Sequence, residues 1–161
     1  AFQLVKALAD HFEAFKDAKI VYTAAQAGVR ETRHIRGAHI LTGTEYAKAQ
    51  RFPDAIGRGA HPIDIHSTSG GSQRCEFLKE AAYIPYRSII ASDFPNLLVP
   101  GRCFSADREA SASARVQASM MGLGQAAGFA AAQCSARNSS VQDADIRALR
   151  KELISEGANI S

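Results

Sequence analysis

Apolar positions at Leu4, Val5, Leu8, Phe12 and Phe15 alternate with Lys6, Asp10, Glu13 and Lys16. That helical spacing predicts an amphipathic helix over residues 2–18. Residues 19–23 are a short β-type run, Gly28 interrupts the next segment, and a strand-like stretch covers about Arg33 to Leu41. Thr42-Gly-Thr44 ahead of residues 45–50 predicts a short helix with Thr42 or Thr44 as its N-cap. Pro53, Gly57, Gly59 and Pro62 predict a loop, followed by a short strand at residues 63–65. Residues 67–76 are polar and rich in Gly and Ser, the composition of a loop or hairpin tip. Residues 83–87 read as extended, because the residue before Pro85 avoids the helical region. The apolar run at residues 96–99, stopped by Pro100-Gly101, reads as a buried strand ending in a turn. An Ala- and Gly-rich helix is expected from about Ser113 to Ala132. A last helix is expected from Asp143, with Ile146, Leu149 and Leu153 as its apolar stripe and Gly157 just past its end.

Composition narrows the class. A chain of 161 residues, 46% hydrophobic, can bury one ordinary core. A net charge of +3 is too mild to argue for nucleic acid, and the arginine clusters lack interleaved aromatics. No apolar run approaches the ~20 residues that span a bilayer, and the start carries no leader pattern. Cys75, Cys103 and Cys134 form no C-x-x-C pair, which signals neither a zinc site nor a disulfide framework. Cys103 reads as a small buried residue. A reducing, cytoplasmic setting is expected, with no nucleic-acid or membrane partner.

Gly122, Gly124 and Gly128 imitate a dinucleotide fingerprint. That fingerprint needs its first glycine at a turn directly after a strand, with an acidic residue about twenty positions on. Here Ala118-Ser-Met-Met121 precedes it as continuous helix. The expected role is packing: Gly124 and Gly128, four apart, would let one helix face approach another backbone. That is a reason to tolerate about 1 kcal/mol per glycine.

More informative are residues 96–105, then 112–117, then the helix around 121–131. A strand stops at a glycine turn, and a polar loop leads into a helix that starts with small residues. Gly101 lets a ligand approach without a Cβ in the way. Free N–H groups at the helix start favour an anionic or electron-rich ligand. An ordinary strand–loop–helix without a ligand satisfies the same pattern.

This block resembles the C-terminal flavin-binding segment of bacterial FAD-dependent oxidoreductases, within the glutathione-reductase-like superfamily. The resemblance rests on Asn96-Leu-Leu-Val, Gly101-Arg-Cys, Ser105, Arg115-Val116 and Gly124-Gln-Ala-Ala-Gly128 followed by Ala130-Ala131. Upstream, residues 28–33, 54–59, 62–66 and 83–87 resemble family segments in the same order, so the likeness spans about residues 12–157. It implies an α/β fold and the C-terminal fragment of a two-domain FAD-dependent oxidoreductase. Residues 1–90 would be partial substrate domain and connecting segments, and residues 91–161 the return to the FAD-binding domain. It also implies FAD as cofactor and flavin-mediated hydride transfer on an unidentified small-molecule substrate. The missing N-terminal half of the same protein would supply the strand and G-x-G-x-x-G turn. Without it the chain would be inactive. A non-catalytic remnant, self-associating as a homo-oligomer through the uncovered surface, is the alternative.

Roles follow residue by residue. The resemblance places Gly101 and Arg102 near the ribityl–pyrophosphate part of FAD, with Ser105 as a hydrogen-bonding neighbour. Val116, Gln117 and Ala118 would lie where the helix start faces the flavin ring, and Arg115 is a cofactor-binding candidate that would also line the substrate cavity. Arg30 and Arg33 either anchor a substrate anion through a bidentate contact or pair with Glu31. On an extended strand Arg30, Arg33 and Arg36 do not all point one way. If Ile63 and Ile65 face a core, Asp64 and His66 share the other face and form an acid/base pair beside the flavin. Arg87 joins them as a catalytic candidate lining the substrate cavity. No metal is expected, since H-x-x-D-x-H is not a recognised ligand spacing.

Overall fold

The computed structural model describes residues 1–66 and 73–161, which divide into two units, Ala1–Arg30 and Glu31–Ser161. In the first unit α1 runs Phe2–His11 and stops at Phe12, whose backbone is extended at φ −132° and ψ 118°. One 3-10 turn, Glu13–Phe15, follows, with Phe12 and Phe15 edge to face at 6.4 Å. The helix expected to reach residue 18 is therefore cut short. No residue of α1 is buried, and a helix of this length has little stability from propensity alone. Residues 19–23 form no strand, because a strand needs a ladder partner.

The second unit is mixed α and β. Its first helix, α2 (Gly43–Ala47), starts earlier and ends sooner than the expected 45–50 and takes Thr42, one of the two candidates, as its N-cap within a capping box. Glu45 N–H donates to Thr42 Oγ1 at 3.2 Å and Thr42 N–H donates to Glu45 Oε2 at 2.8 Å. Strands β1 (Ala55–Gly59), β2 (Ile63–Ile65), β3 (Arg74–Glu76) and β4 (Ala82–Pro85) make two small antiparallel sheets, β1 with β4 and β2 with β3. Of the polar segment expected at 67–76, residues 67–72 lie outside the described residues, and 74–76 form β3. Three helices close the unit: α3 (Arg108–Ala114), α4 (Gln117–Arg137) and α5 (Ile146–Ser155).

Further expectations need correction. The loop expected around Pro53 to Pro62 contains β1 (Ala55–Gly59), whose pairing with β4 outweighs its two glycines. Residues 33–41 contribute only the isolated bridges Gly37 to Ala91 and Leu41 to Ala106. Residues 96–99 are not a buried strand: Asn96 turns left-handed at φ 59°, Leu97 is 41% exposed, and one bridge joins Leu98 to Ile90. Prolines at 95 and 100 remove the flanking N–H donors that would extend the ladder. The helix expected from Ser113 breaks at Arg115-Val116, where Val116 is extended at φ −66° and ψ 149°. The last helix is capped by Asp145, which accepts from Ala148 N–H at 2.9 Å, while Asp143 ends a 3-10 turn before it. Gly157 does follow that helix at a positive φ of 89°.

The core lies between the β1–β4 sheet and α4–α5, around Ile56, Ile84, Tyr86, Ile89, Phe104, Leu123, Leu149 and Leu153. Each such side chain contributes about 1.5–3 kcal/mol on burial. Tyr86 donates to the Val141 carbonyl at 2.8 Å. Burial pushes its phenol up, and the Cys134 thiol adds to that. Close approach is carried by the strand glycines, not by those of α4. A Cβ on Gly57 would lie 3.0 Å from Leu123 Cδ2, and one on Gly59 would collide with the Tyr46 hydroxyl. A Cβ on Gly124 or Gly128 would meet nothing within 4 Å. Among the described residues no helix is long and apolar enough to cross a membrane.

Candidate functional site

Residues 101–105 are threaded between two stretches of chain. Ile35 N–H donates to the Cys103 carbonyl at 2.9 Å, Leu41 N–H to that of Ser105 at 3.1 Å, and Ser105 N–H to that of Ser88 at 2.8 Å. Gly37 makes this possible, since a Cβ there would lie 2.5 Å from Ser105 Cβ. Ser105 is 1% exposed, with a buried hydroxyl that has no hydrogen-bond partner among the described residues. It supports the segment from inside. Gly101 adopts φ 95°, and a Cβ there would meet nothing within 4 Å, so the turn stays open to an approaching group. Arg102 is exposed.

Asp107 leads the chain from this turn into α3, accepting from Ala110 N–H and from Gly43 N–H, each at 2.8 Å. After the break, α4 begins at Gln117 with no side chain capping its first turn. Gln117 and Ala118 are exposed. A helix of 21 residues thus presents free N–H groups and the positive end of its dipole.

An internal polar chain ties the glycine turn to this helix start. Arg115 Nη1 donates to Glu31 Oε2 at 3.4 Å, and Glu31 Oε1 is 3.3 Å from His34 Nε2. His34 Nδ1 is 2.9 Å from the Phe104 carbonyl. A carbonyl only accepts, so His34 donates through Nδ1. Arg115 is 16% exposed and Glu31 28%, so neither charge is fully screened by water. Sequence reasoning missed Glu31 and His34 as organisers. Their spacing of three is a weak local signal, and their partners lie 84 and 70 positions away. The same geometry removes Glu31 as the partner of Arg30 or Arg33. Both arginines are exposed, with no acidic partner among the described residues, while Arg36 donates to Asp93 at 3.1 Å.

On the β2–β3 hairpin Ile63 is buried, and His66 Nε2 lies 3.0 Å from Asp64 Oδ2. The two residues expected to share a face do meet. Gln73 holds Asp64 Oδ1 at 2.7 Å, and Arg108 of α3 donates to the His66 carbonyl at 3.1 Å. Arg87 is engaged elsewhere. Its Nε and Nη2 donate to Asp54 at 3.0 and 3.3 Å, and its backbone N–H donates to the same carboxylate at 3.1 Å. The hydrogen bond to Asp54 holds the Arg87 guanidinium above its ordinary value, against the opposing effect of burial. Among the described residues no cluster of His, Cys, Asp or Glu has the makings of a metal site.

An open glycine turn joined to an uncapped helix start is a fitting cradle for a cofactor that carries negative charge. Comparison with known families gives that class a definite form. Residues 1–153 match the family described as FAD dependent oxidoreductase, and the chain belongs to that family. FAD is its cofactor. The curated proteins and the solved structures gave no match.

Proposed function

We propose that this chain carries the flavin-facing side of an oxidoreductase that transfers hydride to or from a small substrate. The observation that carries the reading is the uncapped start of α4, tied through Glu31 and His34 to the Gly101 turn. When bound, FAD supplies the two-electron chemistry. The first N–H groups of α4, at Gln117 and Ala118, would hold the electron-rich edge of the flavin. Val116 would set their direction, Gly101 would leave room for the cofactor, and Arg102 would supply a counter-charge. Arg115 acts from beneath, fixing the helix start against Glu31. Ser105 keeps the turn in place.

His66 is the group proposed to hold or move the substrate proton, with Asp64 orienting its ring. Arg87, gripped by Asp54, positions the segment after β4 rather than touching substrate. Arg30 and Arg33 are proposed anchors for an anionic group of the substrate. Among the described residues no strand is followed directly by G-x-G-x-x-G. The ADP half of FAD is therefore held by another segment of the protein, and the exposed face of α4 at Gly124, Gly128, Ala131 and Ser135 is where that segment would pack. Without it the chain is not expected to retain FAD.

The test uses the FAD-loaded protein from its complete reading frame. His66→Asn is expected to slow turnover by about 10²–10⁴-fold with the flavin spectrum unchanged. An unaltered rate would remove His66 from the chemistry.

A further inference from the structure

A cleft of about 320 Å³ opens between β1 and the first turns of α4, closed at one end by residues 158–160. Among the described residues its only charged wall residue is Arg58; the rest is apolar or neutral, including Ala60, Ser119, Gly122 and Asn159. Arg58 makes no ion pair among the described residues. Its Nη1 donates to Asn159 Oδ1 and its Nη2 to the Ala81 carbonyl, both at 3.3 Å, and both acceptors are neutral. Its Nε is buried with no acceptor among the described residues. The guanidinium lies 4.7 Å from the centre of the Tyr83 ring, with Arg51 over the same ring at 5.3 Å, so positive charge accumulates here. A half-buried cation with spare donors and no carboxylate is incompletely satisfied.

A second element supplies an independent sign. Ser119 is 8% exposed and its residue lines the cleft. It stands in the first turn of α4, where the helix dipole favours negative charge. One cation, one hydroxyl and a helix start thus border one small space whose other walls are largely alanine, glycine and isoleucine.

We propose that this cleft binds a small organic carboxylate, its oxyanion on Arg58 and Ser119 and its short apolar tail along Ala60 and Ala81. A single guanidinium in an otherwise neutral wall suits one charge with an apolar remainder better than a multiply charged phosphate. Ala118 lies both at the α4 start and in the cleft wall. Identifying the bound carboxylate as the substrate's own group rests on the flavin reading above; the binding itself does not.

The test is a titration of the full ¹⁵N-labelled chain with butyrate, without FAD, following the Arg58 Nε–Hε and Ser119 backbone signals by NMR. Saturable shifts of both are expected with butyrate and none with butyramide. Arg58→Gln is expected to weaken binding more than tenfold, and Ser119→Ala several-fold. Gly122→Leu is expected to abolish binding by filling the cleft. A Cβ at Gly122 meets nothing within 4 Å, so that variant keeps its fold. Equal shifts with butyramide, unchanged binding in Gly122→Leu, or tighter saturation by inorganic phosphate would each overturn the proposal. Because no flavin is present, failure here leaves the FAD assignment standing.

Discussion

Glu45 shows how one residue's surroundings set its chemistry. Burial pushes its carboxyl up, but hydrogen bonds from the Thr42 backbone and hydroxyl, with His39 at 3.2 Å, outweigh that and hold it below 4.5. A carboxyl whose pKa is lower in the folded chain than in the unfolded one stabilises the fold at neutral pH. That contribution is lost as pH falls through the folded value. Glu45→Gln is therefore expected to cost about 1 kcal/mol near pH 7. The two proteins should converge as the pH falls through the lowered value of the folded carboxyl. Urea unfolding across that range checks it; a gap that does not change with pH would mean that the charge contributes nothing. At this scale the sequence was legible where partners are local. The Thr42 cap and the meeting of Asp64 with His66 follow from spacings of three and two. Asp54 and Arg87 are 33 positions apart, and no local pattern announces that pair.

Among elements, the least legible was β1. Gly57 and Gly59 read as loop, since glycine weakens a strand. In the fold they are what allows α4 and Tyr46 to lie against it. The α4 glycines meet nothing within 4 Å among the described residues, and the face they leave open is the one proposed above for the ADP-binding segment. Two substitutions separate these roles. Gly59→Ala is expected to destabilise by about 1–3 kcal/mol, because the new methyl strikes the Tyr46 hydroxyl. Gly128→Ala is expected to stabilise by about 0.5–1 kcal/mol, as a helix-interior glycine replaced in open space. Melting temperatures of the two variants check this, and matching signs would refute the assignment. The break at Arg115-Val116 was invisible in an Ala-rich run, because no Gly or Pro marks the place where Val116 turns extended.

For the whole molecule, the apolar pattern forecast a mixed α/β chain, and the ordered motifs from Gly28 to Gly128 pointed to the FAD family that residues 1–153 match. What the pattern over-read were strands. Residues 19–23, 33–41 and 96–99 have strand composition but lack neighbouring strands to complete a ladder. Side chains that an amphipathic pattern would bury remain exposed, among them Phe2, Leu4, Tyr22 and Met121. Apolar surface of this kind marks faces that other protein segments cover. The proposal that one such segment brings the ADP-binding turn, while this chain brings the flavin-facing side, joins these observations. Its most direct test is the visible spectrum of the protein purified from its complete reading frame. Flavin absorption that bleaches on reduction with dithionite, with FAD released on denaturation, is the expected result. A colourless product that takes up no added FAD would overturn the flavin assignment.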